Sequence, residues 1–341
     1  MLCARIHTLP SLSRRQHRRP IVSADTEHGA GDPPTISVIV VTYNSARVLR
    51  ETLESVVCLI GEGGEVIVVD NNSSDETLGI VRDVDPRIRI AALPSNIGFS
   101  AAVNHGARAA TSTCLCLLNP DAVVHPNDLS RLARVLEHDP TIGAIAPVVI
   151  QEEGKSGNSG AYRFPTIWRT FCTLWGVSLL AGPSLLEGTV LLVRQIREPR
   201  DVDWLTGACL LIPRNVWHEI GGMTERWFMY GEDIDLGLRL RRLRKRVVVD
   251  PRFEVRHQVG KSSDKPPGSL ESAWLVNQWD FYRTDLTDSR VHAAVWKIIA
   301  VGGVALRALI HDVTAAATGR SELRTRGRWL WRCATALRKA R

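Results

Sequence analysis

Apolar and polar positions alternate in blocks along the first third of the chain. The run Thr35–Val41 is apolar and β-branched, a pattern typical of a strand buried on both faces of a parallel sheet. Three later runs repeat it: Glu65–Val69, Ile88–Leu93 and Cys114–Leu118. Helical patterns separate these runs, including one over Ala101–Ala110. The alternation predicts an α/β fold with a mostly parallel central sheet flanked by helices and right-handed crossovers.

Two polar segments predict where the first helices begin. Ser45 follows the first predicted strand and is expected to cap the next helix. Ser73–Glu76 follows the second strand and predicts another helix start.

Polar side chains gather where each predicted strand ends. They are Thr42, Tyr43 and Asn44, then Asp70 and Asn71, then Asn96, and finally Asn119 and Asp121. Ligands of open α/β sheets bind at the carboxyl ends of the strands, so these side chains predict a binding edge. A carboxylate such as Asp70 can accept a hydrogen bond from a ribose hydroxyl or a base, and Asp121 offers a hard oxygen to a divalent cation. Neither the dinucleotide G-x-G-x-x-G fingerprint nor a P-loop is present.

Three carboxylates lie within four residues at Glu232, Asp233 and Asp235, directly after the aromatic stretch 227–230. Like charges and an apolar wall raise carboxylate pKa values, so one of the three could serve as a general base. An acidic first helical turn would give the same pattern, since Leu236 and Leu238 follow. The cluster alone does not decide between these two interpretations.

Composition indicates a globular chain of 341 residues with 44% hydrophobic and 23% charged residues. The net charge of +7 is unevenly distributed, because residues 1–20, 239–246 and 320–341 hold 19 of the 43 cationic side chains. These patches favour an anionic membrane surface or a lipid diphosphate as partner. Nucleic acid is the competing partner, but no groove-reading motif accompanies the patches, so we expect none. Each patch would also be compatible with a merely solvated surface.

The remaining sequence signals concern location. Seven cysteines occur without a C-x-x-C pair, which favours a reduced protein facing the cytosol. Residues 1–33 predict a disordered basic leader. Segments 171–193 and 291–313 are apolar but interrupted, the second by Lys297 and Arg307, so attachment at the surface is expected rather than a membrane span. The helical spacing of Val295 and Trp296 with later apolar residues fits an interfacial helix and a core helix equally well.

Taken in order, the motifs resemble those of the family 2 inverting glycosyltransferases with a GT-A fold, over about residues 35–262. The matching blocks are Val40–Asn44, Val68–Asp75, Asn96–Ser100 with Asn104 and Gly106, Asn119–Asp121, Gly207–Leu211, Gly221–Met223 and Gly231–Asp235. Two positions depart from the family pattern. Asn119 replaces the first Asp of the usual Asp-x-Asp, which lowers the charge of a cation site, and Thr224 stands where relatives often carry Asp. Asn-Pro-Asp is nevertheless associated with the rhamnosyltransferase-like branch.

The resemblance assigns roles to individual residues. Donor binding is implied for Thr42, Tyr43, Asn44, Asp70, Asn71, Asn96, Gly98, Asn104 and Asn119. Asp121 and His257 are implied to hold a divalent metal, Mg²⁺ or Mn²⁺, with the donor diphosphate. Asp233 is the implied catalytic base, with Glu232 and Asp235 as alternatives because spacing alone does not identify the carboxylate that faces the cleft.

The resemblance also implies a domain division and a function. We expect a GT-A domain over residues 34–262, with its donor half at about 34–150 and its acceptor half at about 151–262, followed by a helical, basic, membrane-associated extension over 263–341. The implied activity is transfer of a sugar, foremost L-rhamnose from dTDP-L-rhamnose, to a polyprenyl-diphosphate-linked or other glycolipid acceptor in cell-envelope biosynthesis. The enzyme would be peripheral, at the cytoplasmic face of the plasma membrane.

Three alternative functions remain at this point. A UDP-linked hexose or galactofuranose could be the donor. A sugar nucleotidyltransferase would use a related sheet but normally carries a Gly-rich loop after the first strand, which is missing here. A non-catalytic nucleotide-sugar-binding protein would explain Asn119, although the intact acidic cluster argues against it.

Overall fold

The structure is a computed structural model that describes residues 34–150, 157–179, 184–258 and 272–340. The predicted basic leader, residues 1–33, lies outside the described residues.

Strands and helices alternate through the first half of the described chain, and three helices, the last two of them long, end it. The strands are β1 Ile36–Thr42, β2 Glu65–Asp70, β3 Arg89–Ala92, β4 Cys114–Leu118, β5 Ala122–Val124, β6 Ile142–Ile150, β7 Asn158–Tyr162, β8 Val190–Leu192, β9 Arg200–Val202, β10 Trp204–Leu205, β11 Cys209–Pro213 and β12 Arg246–His257. The helices are α1 Leu49–Val56, α2 Thr77–Val84, α3 Phe99–Ala109, α4 Pro126–His138, α5 Ile167–Leu174, α6 Arg214–Ile220, α7 Glu232–Arg242, α8 Ala273–Phe281, α9 Arg290–Thr318 and α10 Ser321–Lys339.

The first four strands form the parallel part of the main sheet, in the order β3-β2-β1-β4. The register places Thr42 beside Asp70 and Asp70 beside Ala92, so the carboxyl ends of these strands lie along one edge. All seven residues of β1 are buried, as expected for an apolar strand covered on both faces. The predicted α/β class is therefore confirmed, and the polar ends of these strands lie together along one edge of the sheet.

The second half of the sheet is mixed. The order continues β4-β11-β6-β12-β5, and β9 pairs with β12. β11 runs antiparallel to both of its neighbours, whereas β12 is parallel to β6. The end of β12 pairs with β5, which places His257 opposite Ala122 and next to Asp121. A second sheet has the order β10-β7-β8.

Two hydrophobic clusters cover the two faces of the main sheet. Because strand side chains alternate, Val38 and Val40 of β1 pack in one cluster and Ile39 and Val41 in the other. The first cluster includes side chains of α1 and α4, and the second includes those of α3, α6 and α7. Helices on both faces of the sheet explain why the strands read as continuous apolar runs.

The C-terminal helices form a third cluster that also includes Leu174 of α5. Trp296 of α9 is fully buried and stacks between Trp279 and Tyr282, with ring centroids 5.8 and 5.1 Å away. Its indole Nε1 donates a hydrogen bond to the carbonyl of Pro165 at 2.7 Å. The predicted helical character of the extension is confirmed for residues 272–340, and these helices pack on the preceding domain.

Two local expectations need correction. Ser45 does not cap α1: the helix begins at Leu49, without a side-chain cap, and the Ser45 carbonyl accepts hydrogen bonds from the amides of Val48 and Leu49.

Within α9, Lys297 and Arg307 do not interrupt the solvent-facing side of the helix, because they donate to the carbonyls of Ala340 and Leu174. By length and composition α9 is the one helix of the described chain that could cross a membrane, although 28% of its most apolar window is buried against the protein.

Candidate active site

The predicted donor edge is assembled at the ends of β1 and β2. Thr42 and Asp70 are buried, and the Thr42 hydroxyl donates to Asp70 Oδ1 at 2.9 Å. The Ser73 amide donates to Asp70 Oδ2 at 2.9 Å. Asn44 has a left-handed backbone (φ 50°), and its Oδ1 accepts from the Ser74 amide at 2.8 Å. These bonds hold the two strand ends together and orient the polar edge toward a ligand.

Two asparagines shape the loop that precedes α3. Asn71 donates from Nδ2 to the carbonyl of Gly98 at 3.1 Å and accepts from the Ile97 amide at 3.3 Å. Asn96 Oδ1 accepts from the Gly98 amide at 3.0 Å. Gly98 has φ 88°, and a Cβ there would lie 2.6 Å from the carbonyl oxygen of Phe228. Only glycine fits this backbone and this close approach.

Two other predicted donor-binding residues have different surroundings. Asn104 uses its amide on the protein: Nδ2 donates to the carbonyl of Met223 at 2.8 Å, and Oδ1 accepts from the Met223 amide at 2.9 Å. It therefore joins α3 to the turn after α6. Tyr43 is 39% exposed at the end of β1, so its ring is accessible to a ligand.

Asn119, Asp121 and His257 converge at one corner of the edge, although 136 residues separate Asp121 from His257. His257 Nε2 lies 2.9 Å from Asp121 Oδ1 and 3.3 Å from Asn119 Nδ2. Asp121 is buried, so its carboxylate is held rigidly. A carboxylate, an imidazole and an amide are suitable donors for Mn²⁺ or Mg²⁺.

The same corner is incomplete as a metal cage. The described ranges contain no group of three or more His, Cys, Asp or Glu side chains that could hold a metal ion. A cation at this corner would therefore need Asn119 and ligand oxygens besides Asp121 and His257. The residues fit a cation that is shared with a diphosphate, as magnesium sites in nucleotide enzymes are.

The acidic cluster forms the first turn of α7, and its three carboxylates have different environments. Asp235 is paired with Arg239, whose Nε lies 2.7 Å from Asp235 Oδ2. Arg239 Nη1 also donates to the carbonyls of Ile220 and Gly222 at 2.7 and 2.6 Å. Asp235 thus holds α7 to the end of α6.

Glu232 and Asp233 have no such cation. Glu232 is 3% exposed, and its Oε2 is buried without a hydrogen-bond partner. Asp233 is half-buried; its Oδ2 accepts from the Gly207 amide at 3.3 Å, and its Oδ1 is shielded from solvent without a partner. Burial raises the pKa of Glu232 to about 7. Burial, and then the neighbouring Glu232 charge, raise the pKa of Asp233 well above its usual range, against the effect of the Gly207 amide.

A short backbone connection links the acidic cluster to the Asn-Pro-Asp corner. Gly207 contacts Asp233, and the next residue, Ala208, accepts a hydrogen bond from the Asn119 amide at 3.0 Å through its carbonyl. Two adjacent residues ahead of β11 therefore lie between Asp233 and Asn119. This adjacency puts a high-pKa carboxylate beside the corner that fits a cation and a diphosphate.

The loop before α7 is fastened by the C-terminal helices, which the sequence did not predict. Asn277 of α8 donates to the carbonyls of Met229 and Tyr230 at 3.0 and 2.6 Å. Asp280 accepts from the Trp227 indole at 3.1 Å and pairs with Arg226. Tyr230 has φ 68°, an uncommon backbone for a bulky residue. The left-handed Tyr230 and Gly231 (φ 113°) are the only local sign of this constrained loop.

Part of the basic run 239–246 is engaged within the protein. Arg239 serves Asp235, as described above, and Arg246 pairs with Asp139 and Asp201 at 3.0 and 2.9 Å. Lys245 donates to the carbonyl of Pro140 at 2.8 Å. Three of its six cations are thus engaged within the protein, whereas Arg241, Arg242 and Arg244 are exposed. Binding of a lipid diphosphate by this run stays a prediction.

Comparison with known proteins agrees with this arrangement. The family model described as Glycosyl transferase family 2 matches residues 37–184. An N-acetylglucosaminyl-diphospho-decaprenol L-rhamnosyltransferase of Mycobacterium tuberculosis is 29% identical over 249 residues, which cover 69% of this chain and 79% of the relative. A succinoglycan biosynthesis protein, ExoO, of Rhizobium meliloti is 35% identical over 128 residues, 36% of each chain.

Solved structures show the same fold. A mannosyltransferase of Pyrobaculum calidifontis, in complex with GDP-Man and Mn²⁺, aligns over 91% of this chain and 89% of its own, with a TM-score of 0.54 and 19% identity. GalNAc-T7 with UDP, GalNAc and Mn²⁺ aligns over 75% of this chain and 50% of its own, with a TM-score of 0.53 and 18% identity. The fold is therefore of the GT-A type, and both structural neighbours were solved with Mn²⁺. The family match over residues 37–184, the mycobacterial relative and the shared GT-A fold together support a family 2 glycosyltransferase.

Proposed function

We propose that this protein transfers L-rhamnose from dTDP-L-rhamnose to a polyprenyl-diphosphate-linked acceptor at the cytoplasmic face of the plasma membrane. The mycobacterial relative, whose name specifies a rhamnosyl donor and a decaprenol-linked acceptor, supports this choice over most of its length. The Asn119-Pro120-Asp121 sequence, which we associate with rhamnosyltransferases, supports it too. The rhizobial relative supports the broader class of envelope and extracellular glycan synthesis.

The observation that carries the proposal is the position of Asp233. Its Oδ1 is shielded from water and has no hydrogen-bond partner, and its pKa is raised. A buried carboxylate oxygen that accepts no hydrogen bond costs free energy. A hydroxyl group of the sugar that receives the transferred residue would donate the missing hydrogen bond. Gly207 and Ala208 connect this carboxylate to the Asn119 corner, where a donor diphosphate would bind.

The proposed reaction is a single in-line displacement. Asp233 takes the proton of the acceptor hydroxyl as its oxygen forms a bond to the anomeric carbon of the donor sugar. The bond from that carbon to the diphosphate breaks, its electrons remain on the nucleoside diphosphate, and the anomeric configuration inverts. Asp121, His257 and Asn119 would hold a divalent cation, which when bound neutralises charge on the diphosphate.

The base assignment is tested by Asp233→Asn, which keeps the size of the side chain but removes its basicity. We expect turnover to fall by about a thousandfold or more, while the dissociation constant for the nucleotide stays within about twofold. Asp83→Asn, the same change on the exposed surface of α2, is the control. Turnover near that of the wild type in Asp233→Asn would reject the assignment.

The donor is tested by calorimetric titration with dTDP, UDP and GDP, each with and without Mg²⁺ or Mn²⁺. Selective binding of dTDP that is strengthened by the metal supports the rhamnosyl proposal, and Asp121→Asn should abolish the strengthening. A preference for UDP would replace the donor by a UDP-linked hexose or galactofuranose. Absence of binding to all three nucleotides would indicate a non-catalytic protein.

A further inference from the structure

One face of α9 is apolar along the whole helix and is largely exposed among the residues that the structure describes. Its residues recur every three or four positions: Val291, Val295, Ile298, Gly302, Ala305, Leu309, Val313 and Ala316. Ile298 is 71% exposed, Leu309 52% and Val313 61%. Spacings of three and four residues place all eight on one side of the helix, opposite the buried Trp296, Ala300 and Val304. This outer stripe contains no charged residue.

The cations of α9 are directed away from the outer stripe. Lys297 donates to the carbonyl of Ala340, and Arg307 donates to those of Leu174 and Thr173. The outer stripe and the buried side therefore divide the helix into two apolar faces. Packing within the chain accounts for only one of them.

Aromatic and aliphatic side chains of α5 and the turns after it extend the outer stripe on one side. Trp175 is 41% exposed; its Nε1 donates to the carbonyl of Ile299 at 3.1 Å, and its ring lies against Gly302. Phe171 connects it to Trp168, with ring centroids 5.6 Å apart in both steps. Trp168 Nε1 donates to the carbonyl of Leu185, itself largely exposed. Partly exposed tryptophans are typical of side chains at a membrane–water interface.

Cations border the outer stripe on its other side. Trp331 of α10 is 42% exposed, and its Nε1 donates to Asp312 Oδ2 at 2.9 Å, which fixes it beside α9. Arg328 and Arg324 lie about one and two turns before Trp331, respectively, on the same side of α10, and both are exposed. Residues 320–340 carry six Arg and one Lys against a single acid, Glu322. The apolar surface thus borders a helix of strongly positive charge.

We infer that α9 lies in the plane of an anionic bilayer, with the outer stripe and Trp175 in the interface and Arg324 and Arg328 of α10 at the lipid phosphates. An apolar face with neighbouring cations and aromatic edges is the pattern of an interfacial helix. The inference rests on the proposed function only for the reason why the protein would bind a membrane: a lipid-linked acceptor would be presented at that surface. Its evidence is the surface itself.

Two other arrangements agree less well with the contacts. A transmembrane α9 would have to separate Trp296 from Trp279, Tyr282 and Pro165 and expose Lys297 and Arg307 to lipid. A two-fold dimer through the outer stripe would bring the cationic α10 helices of two copies together, with one acid, Glu322, against seven cations in each copy. An anionic bilayer satisfies the apolar and the charged surfaces at once.

The test is co-sedimentation of the full chain with vesicles of phosphatidylcholine alone or with 30% phosphatidylglycerol, which requires no donor or acceptor. We expect binding to the anionic vesicles that weakens with salt. Ile298→Glu with Leu309→Glu should weaken it by about a hundredfold, and Arg324→Glu with Arg328→Glu by about thirtyfold or more. Arg108→Glu with Arg134→Glu, the same charge change at exposed positions of α3 and α4, should leave binding within about threefold.

Because all substituted side chains are exposed, circular dichroism and nucleotide titration should confirm that each variant is folded. Equal binding of the wild type, the Ile298→Glu/Leu309→Glu variant and the Arg324→Glu/Arg328→Glu variant would overturn the inference, as would no binding to anionic vesicles. Protein that resists alkaline carbonate extraction would indicate a span, and a dimer dissociated by Ile298→Glu would indicate a second copy. Either result also overturns it. Vesicle binding without nucleotide binding would instead reject the proposed function and leave this inference intact.

Discussion

Glu232 offers a direct test of the electrostatics of the acidic cluster, through Glu232→Gln. Burial raises the pKa of this carboxyl from 4.5 to about 7. Because a tenfold change in proton affinity corresponds to about 1.4 kcal/mol, keeping the ionised group in the folded protein costs about 3 kcal/mol at pH 8. Glutamine has nearly the same shape and no charge. The variant should therefore gain stability relative to the wild type as the pH rises.

The sign follows from the protons bound in each state. Below pH 4.5 the carboxyl is protonated in the folded and unfolded chains, so its ionisation does not contribute. Between pH 4.5 and about 7 the unfolded chain releases the proton while the folded chain keeps it, so the wild-type free energy of unfolding decreases with pH. Above pH 7 the carboxyl is ionised in both states, so its effect on the free energy of unfolding no longer changes with pH. The stability of the variant minus that of the wild type should increase by about 3 kcal/mol from pH 4 to pH 8.

The assay is urea unfolding of both proteins at half-unit pH intervals from 4 to 8.5, followed by circular dichroism. Subtracting the two curves removes the titrations that the substitution leaves unchanged, and a pH-independent offset from the amide itself does not matter. Asp233 is not among them: loss of the Glu232 charge lowers its pKa in the folded protein, which adds to the variant's relative gain in stability as the pH rises. Asp235→Asn is the matched control. In the wild type the Asp235 carboxylate is paired with Arg239, so this variant should be less stable than the wild type at neutral pH. A difference between Glu232→Gln and wild type that stays flat across this pH range would refute the reasoning.

The same substitution should change the pH dependence of catalysis, and two others test the surroundings of the site. In the wild type, kcat should fall as the pH drops through the raised pKa of Asp233; Glu232→Gln removes a neighbouring negative charge and should move that acidic limb to lower pH. Asn277→Ala should lower kcat by about tenfold while the nucleotide dissociation constant changes less than about threefold, whereas Gln278→Ala should change neither. Gly98→Ala should weaken nucleotide binding and lower the melting temperature, because its Cβ would meet the backbone of Phe228; unchanged values would contradict the assigned close approach. Gly61→Ala, with open space around it, is the control for that variant.

Local sequence patterns predicted the parallel half of the sheet well. The strands β1, β2 and β4 are apolar runs with polar ends, and their burial makes that pattern strong. β3 lies at the sheet edge and is only partly buried. The antiparallel pairings of β11 depend on contacts with β4 and β6, which are distant in sequence, and no local signal specifies them. At Ser45 a local signal was present but led to a wrong prediction. Ser45 is a good cap residue, but its carbonyl accepts hydrogen bonds in a turn, and α1 begins only at Leu49.

The sequence predicted which residues belong to the candidate site better than it predicted the separate role of each. Motif order identified Glu232, Asp233 and Asp235 together. The four-residue spacing of Asp235 and Arg239 is a typical helical ion pair and could have separated Asp235 from the other two carboxylates. Distinguishing Glu232 from Asp233 required knowing that Gly207 donates to Asp233, a contact across 26 residues. Asn277 carried no signal, because its role exists only once α8 packs against the loop.

The bonds from α8 to the loop before α7 bear on how the chain can be divided. A fragment cut at residue 262 would retain every motif of the family, yet it would lack Asn277 and Asp280, which hold the backbone and side chains of residues 226–230. The unit that recombination or engineering can exchange is therefore not the motif-bearing segment alone. In a chimera between two relatives, this loop and α8 would have to come from the same parent, so the exchanged segment would have to include a helix that carries none of the recognisable motifs.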